Sequence, residues 1–72
     1  MENFHLKVGE NVKKLRKAKN ISQIQLVLAM GHNSVSHVAK AELYKCDKHF
    51  SLEQLYKISR ILKVSLHDLL PE

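Results

Sequence analysis

Val8, Val12 and Leu15 recur four and three residues apart, with Phe4 one turn earlier, and so line one face of a helix whose other faces carry lysines. The spacing predicts a helix over about residues 4 to 18, stopping near Asn20, a residue that tolerates the left-handed conformation at a helix end. The helical period returns in further short stretches, each punctuated by a capping residue. Ser22 opens a stretch over 22 to 30 with Leu26, Val27 and Met30 inward and Gly31 as its stop. Ser51 with Gln54 forms a capping-box pattern ahead of Leu55, Ile58 and Leu62. Lys63-Val64-Ser65 breaks that run, and Ser65 with Asp68 starts a last short helix carrying Leu66, Leu69 and Leu70 before Pro71. Between the second and fourth helices lies GHNSVSHVAKAE, residues 31 to 42, read as a helix starting at Asn33 or Ser34 and ending near 43. LYKCDKHF, which follows, has no clean period and reads as a loop. With no strand alternation, repeat or low-complexity segment, the expectation is an all-α, compact five-helix bundle.

At 72 residues the chain fits one domain, residues 1 to 72, with a modest core. No apolar run approaches the roughly 18 residues of a membrane span, and the amino terminus lacks a secretory pattern, so no membrane association and a cytoplasmic location are expected. A lone cysteine, Cys46, cannot form an internal disulfide, in keeping with a reducing compartment. His5, His32, His37, His49 and His67 are scattered without helical ligand spacing, and Cys46-x-x-His49 is an isolated half-site, so neither a metal nor a nucleophilic centre is expected. No enzyme, cofactor or small-molecule ligand follows from these residues. The net charge is +5, and Lys7, Lys13, Lys14, Arg16, Lys17 and Lys19 face only one acid, Glu10, in their segment. Such a field attracts phosphate backbones or anionic surfaces, although a solvated helix face looks the same in sequence.

Two short helices, 22 to 30 and 34 to 43, joined by a glycine-containing turn describe a helix-turn-helix over about 22 to 43. The stretches VGENVKKLRKAKNISQ, QLVLAMG, SVSHVAKAE and SLEQLYKISRILKVSLHDLL, in that order, resemble the phage-repressor (Cro/Xre-type) helix-turn-helix family over about residues 8 to 70. The resemblance implies a lambda-repressor-like DNA-binding domain whose second short helix enters the major groove. It also implies that Gln23 grips a DNA phosphate, and that Arg16 and Glu42 form an internal ion pair tying the first helix to the end of the third. Without the resemblance, Arg16 reads as one more solvated base.

The chain has one residue more between Gly31 and Glu42 than the family spacing. Fixing the register from Gly31 would bury His37 and Lys40, whereas fixing it from Glu42 buries Val38 and Ala41; an unpartnered buried lysine is prohibitive, so the extra residue is placed within His32-Asn33-Ser34. That register sends Val35, Ser36, His37, Ala39 and Lys40 outward as base readers, with Val35 equally readable as half-buried core one turn before Val38. Gln23, Ser34, Lys45 and Lys48 are expected to hold phosphates. Tyr44 and Lys63 stand where the family favours glycine and Phe50 where it often has proline. A non-glycine residue held left-handed costs roughly 1–2 kcal/mol, so the third helix either runs on or ends differently, and the loop over 43 to 50 is left open.

Ile24 and Leu28 lie four residues apart at positions where the family is usually polar. A wider core contact with Phe4 and Leu6 is the first reading, and a protein contact the second. Leu66, Leu69 and Leu70 are further candidates for dimer contacts, which the resemblance places near the C-terminal end. The leading functional expectation is a sequence-specific regulator binding double-stranded DNA as a homodimer on a two-fold operator, of the kind found in phage repressors, restriction-modification controllers and antitoxins. The alternative is a protein-interaction or antitoxin-like module that binds a partner chain through the same fold.

Overall fold

A computed structural model of the protein describes residues 4–31, 35–43 and 48–71. Among them the elements are α1 (Phe4–Ala18), α2 (Gln23–Ala29), α3 (Val35–Leu43), α4 (Leu52–Leu62) and α5 (Leu66–Leu69), with no strand. The expected turn at 32 to 34 and the stretch 44 to 47, with Tyr44 and Cys46, lie outside the described residues.

Helix starts follow the serines. The Ser22 hydroxyl accepts from Gln25 N at 3.1 Å while Gln25 Oε1 accepts from Ser22 N at 2.8 Å, and the same reciprocal pair joins Ser51 to Gln54 and Ser65 to Asp68. Each box satisfies two backbone donors that a helix N-terminus otherwise leaves open.

The ends of α1, α2 and α4 use the left-handed conformation. Asn20 has φ 59° and Lys63 φ 58°. At both, the next residue's amide reaches back to the carbonyl five residues before it: Ile21 N to Arg16 O at 3.0 Å, and Val64 N to Ser59 O at 2.9 Å. Gly31 closes α2 at φ 79°, where glycine carries no side-chain penalty.

α3 packs mainly on α1 and also on α2, while α5 and α4 pack on each other and on α1. The core they enclose is built from Val8 and Val12 of α1, Leu26, Val27 and Met30 of the second segment, Val38 and Ala41 of α3, Phe50, Leu55, Ile58 and Leu62 around α4, and Leu69. Phe50 fills this core at the family's proline position. At Gly9, α1 and α3 approach closely: a Cβ there would lie 2.5 Å from Glu42 O and 2.6 Å from Ala41 O.

Two expectations are corrected by burial. Leu69, offered as a dimer contact, is completely buried and belongs to the core, whereas Leu66 and Leu70 are only half-buried. Ile24 and Leu28 are 58% and 67% exposed, so they do not widen the core toward Phe4 and Leu6. The two point outward because Leu26, Val27 and Met30 take the inward arc of this short helix.

Candidate nucleic-acid interface

The outer face of α3 is set from inside. Val38 and Ala41 are buried three residues apart, and Glu42 beside them is 1% exposed. Ser36 and Lys40 therefore emerge on the opposite side, both exposed, with Ala39 half-buried at the edge. Leu43, 48% exposed, continues this outer face and was not singled out in sequence. Val35 is half-buried and packs on the core, which removes most of its methyl surface from an outward role.

Glu42 is the joint that orients α3. Its Oε2 accepts from Arg16 Nε at 2.8 Å, and its Oε1 accepts from Arg16 Nη2 at 3.2 Å and from Gln23 Nε2 at 3.0 Å. Arg16, itself 6% exposed, spends its remaining Nη1 on Ile21 O at 2.8 Å. One carboxylate thus holds the end of α1, the first residue of α2 and the end of α3 in fixed relation. A two-toothed guanidinium–carboxylate pair fixes angle as well as distance. Among the described residues no buried side-chain nitrogen or oxygen lacks a partner, so the charges taken into the interior are compensated.

Gln23 differs from the expectation for it. Its side-chain amide turns inward to Glu42 instead of standing free for a phosphate. A carboxamide nitrogen carries two N–H groups, so one remains after the bond to Glu42.

His37 departs further. Instead of sharing the outer face with Lys40, its half-buried ring lies 3.4 Å through Nε2 from Gln54 Oε1 and stands edge-on to Phe50, with centroids 6.3 Å apart at 90°. Position 37 falls at the flank of α3, and the side chain finds partners at the start of α4.

Lys48 is exposed, while Ser34 and Lys45 lie outside the described residues. Sequence separation conceals one contact among the histidines: the rings of His5 and His49 stack at 4.0 Å. No group of three or more histidine, cysteine, aspartate or glutamate side chains among the described residues is arranged to hold a metal. None of the described helices is long and apolar enough to cross a membrane.

On α4, Leu52 and Tyr56 are 67% and 51% exposed. Arg60 donates to the Tyr56 hydroxyl at 3.1 Å and lies over the ring. The four-residue spacing of Leu52 and Tyr56, off the Leu55, Ile58 and Leu62 face, was visible in sequence and is the signal that could have identified this strip.

A helix-turn-helix family model matches residues 12–69. The chain belongs to the Cro/C1-type helix-turn-helix family. Members of this helix-turn-helix family are DNA-binding transcription regulators. Among solved structures, the family fold recurs in the N-terminal DNA-binding domain of SinR from Bacillus subtilis, 32% identical, with 94% of this chain and 96% of that one covered at a TM-score of 0.80. It recurs in the restriction-modification controller protein C.AhdI from Aeromonas hydrophila, 28% identical over 89% of this chain and 92% of that one, with a TM-score of 0.78. Hydroxypropylphosphonic acid epoxidase from S. wedmorenis contains the same fold at 22% identity and a TM-score of 0.83; 99% of this chain is covered but only 36% of the enzyme. That likeness is one of fold, confined to about a third of the enzyme's length. No curated protein sequence matches the chain.

Proposed function

We propose that this helix-turn-helix protein is a sequence-specific transcription regulator that lays α3 in the major groove, binds as a homodimer to a two-fold operator and acts in the cytoplasm in a repressor-like manner. The observation that carries this reading is the exposure of Ser36 and Lys40 on the face of α3 opposite Val38 and Ala41, with the helix braced by the buried Glu42–Arg16 pair. A lysine ammonium donates to guanine O6 and N7, and a serine hydroxyl can donate or accept at a base edge. Ala39 and the exposed edge of Val35 supply apolar contact of the kind that suits a thymine methyl. Gln23, through its second N–H, and Lys48, Lys45 and Ser34 hold phosphates and set register without reading sequence. The 32% identity to a domain described as DNA-binding, and the +5 charge, support the same partner.

Dimer contacts are assigned to the α5 end of the protein. Leu70 and Leu52 border one apolar groove with Phe4, Val8, Phe50 and Leu55, which gives a second copy an apolar surface that a two-fold axis would use twice. Half-sites then lie about one helical turn, roughly 34 Å, apart. Control through the protein's concentration, a partner chain or competition with polymerase fits this reading, as in small phage repressors, restriction-modification controllers or antitoxins.

A second reading is favoured by one observation, the exposure of Ile24 and Leu28 four residues apart on α2. An apolar strip of this kind suits a protein-interaction module that binds a partner chain. Selection of bound DNA from a random pool separates the two. The regulator reading expects a palindromic motif whose binding weakens steeply with salt; enrichment of no motif would leave the interaction module.

A further inference from the structure

We infer that His37 is a positioning residue that braces the N-terminal half of α3 against α4, and not a reader of bases; the inference rests on the DNA-binding reading above. The capping box of α4 determines the chemistry of this contact. Gln54 Oε1 accepts from Ser51 N at 2.9 Å, which identifies that atom as the amide's acceptor oxygen. His37 Nε2, 3.4 Å from that oxygen, must then be the donor. The same ring stands edge-on to Phe50, which is 4% exposed and fixed in the core. Ring and hydrogen bond therefore join α3 to a ring fixed in the core and to a side chain held by its helix cap.

The C-terminal half of α3 is already fixed by Glu42 on Arg16 and Gln23 and by the close approach to Gly9. Val35 and Val38 hold the N-terminal half by apolar packing, which is non-directional. His37 lies five residues before Glu42 and supplies a second polar point of attachment, so the pair of directional contacts sets the angle at which Ser36 and Lys40 are presented. An angular error at a groove-filling helix weakens every base contact together, whereas loss of a reading side chain alters preference at one base pair.

The test compares wild type, His37→Ala, Gln54→Ala, Gln54→Glu and the His37→Ala/Gln54→Ala double variant by selection from random DNA and by affinity for the selected operator. Glutamate at 54 keeps both the cap and an acceptor for His37. Expected are unchanged base preference throughout, operator affinity weakened by about 3–10-fold in His37→Ala and in Gln54→Ala, no further loss in the double variant, and recovery of most of that loss with glutamate. In the free protein, Gln54→Ala should shift the amide resonances of residues 35 to 40 and Gln54→Glu should shift them less. A changed base preference at one position per half-site in His37→Ala alone, fully additive losses in the double variant, or unmoved α3 resonances would each overturn the inference. A wild-type chain that selects no sequence would overturn the DNA-binding reading itself and this role with it.

Discussion

Gly9 in α1 meets Glu42 in α3 backbone to backbone, close enough that a Cβ on Gly9 would sit 2.5 Å from the Glu42 carbonyl oxygen. Neither that oxygen nor Ala41 O, at 2.6 Å, is the movable end of a side chain. Gly9→Ala must therefore push α3 off α1. The expected outcome is a loss of about 2–4 kcal/mol in urea unfolding despite alanine's better helix propensity, because overpacking against backbone outweighs the 0.5–1 kcal/mol, roughly, that alanine gains in a helix. A variant as stable as wild type would mean that α1 and α3 can separate freely.

The Arg16–Glu42 pair has side chains only 8% and 1% exposed, so removing either partner leaves a charge in the interior. Glu42→Leu or Arg16→Met should cost about 3–5 kcal/mol, a large share of a small domain's stability, and the double substitution should recover much of it. Denaturant titration of the four proteins gives the coupling. Equal and additive small losses would show a pair screened by water.

Lys63 holds φ 58° at the end of α4 where glycine would do so without penalty. Lys63→Gly should stabilise the fold by about 0.5–1 kcal/mol, raising Tm by a few degrees, once the added flexibility of the unfolded chain is subtracted from the relief of left-handed strain. Calorimetry decides it. A fall in Tm would mean that the lysine side chain contributes more than its backbone costs.

What could be read in the sequence was what neighbours in the chain decide. Helix starts at Ser22, Ser51 and Ser65 follow from partners three residues away, and the stop at Asn20 from its own conformational tolerance. The inward pair Val38 and Ala41 followed from refusing to bury Lys40. Decisions taken across the fold were not legible. His37 turns toward Gln54, 17 residues away, and nothing in the period of α3 could indicate that a partner waits beside its flank. Leu66, Leu69 and Leu70 look alike in sequence, and only the docking angle of a four-residue helix makes Leu69 the buried one. Gln23 could be matched to a family role, but its bond to Glu42 depends on where α3 ends.

Ile24 and Leu28 are exposed enough that Ile24→Lys and Leu28→Lys should each change stability by less than about 0.5 kcal/mol. If regulation depends on DNA contact alone, operator affinity in a filter-binding or anisotropy titration is also unchanged. Loss of repression in cells with operator affinity intact would identify the strip as a partner contact and would favour the interaction reading.

The most direct test of the account is the DNA preference of Lys40→Ala. Lys40 is exposed on α3 on the side away from Val38 and Ala41, so its removal should leave the fold intact and alter selection from a random pool at one base pair in each half-site, relaxing a guanine there at a cost of about 1–3 kcal/mol. An unchanged motif bound with unchanged affinity would contradict the register of α3, and with it the claim that the Glu42 joint presents this face to the groove.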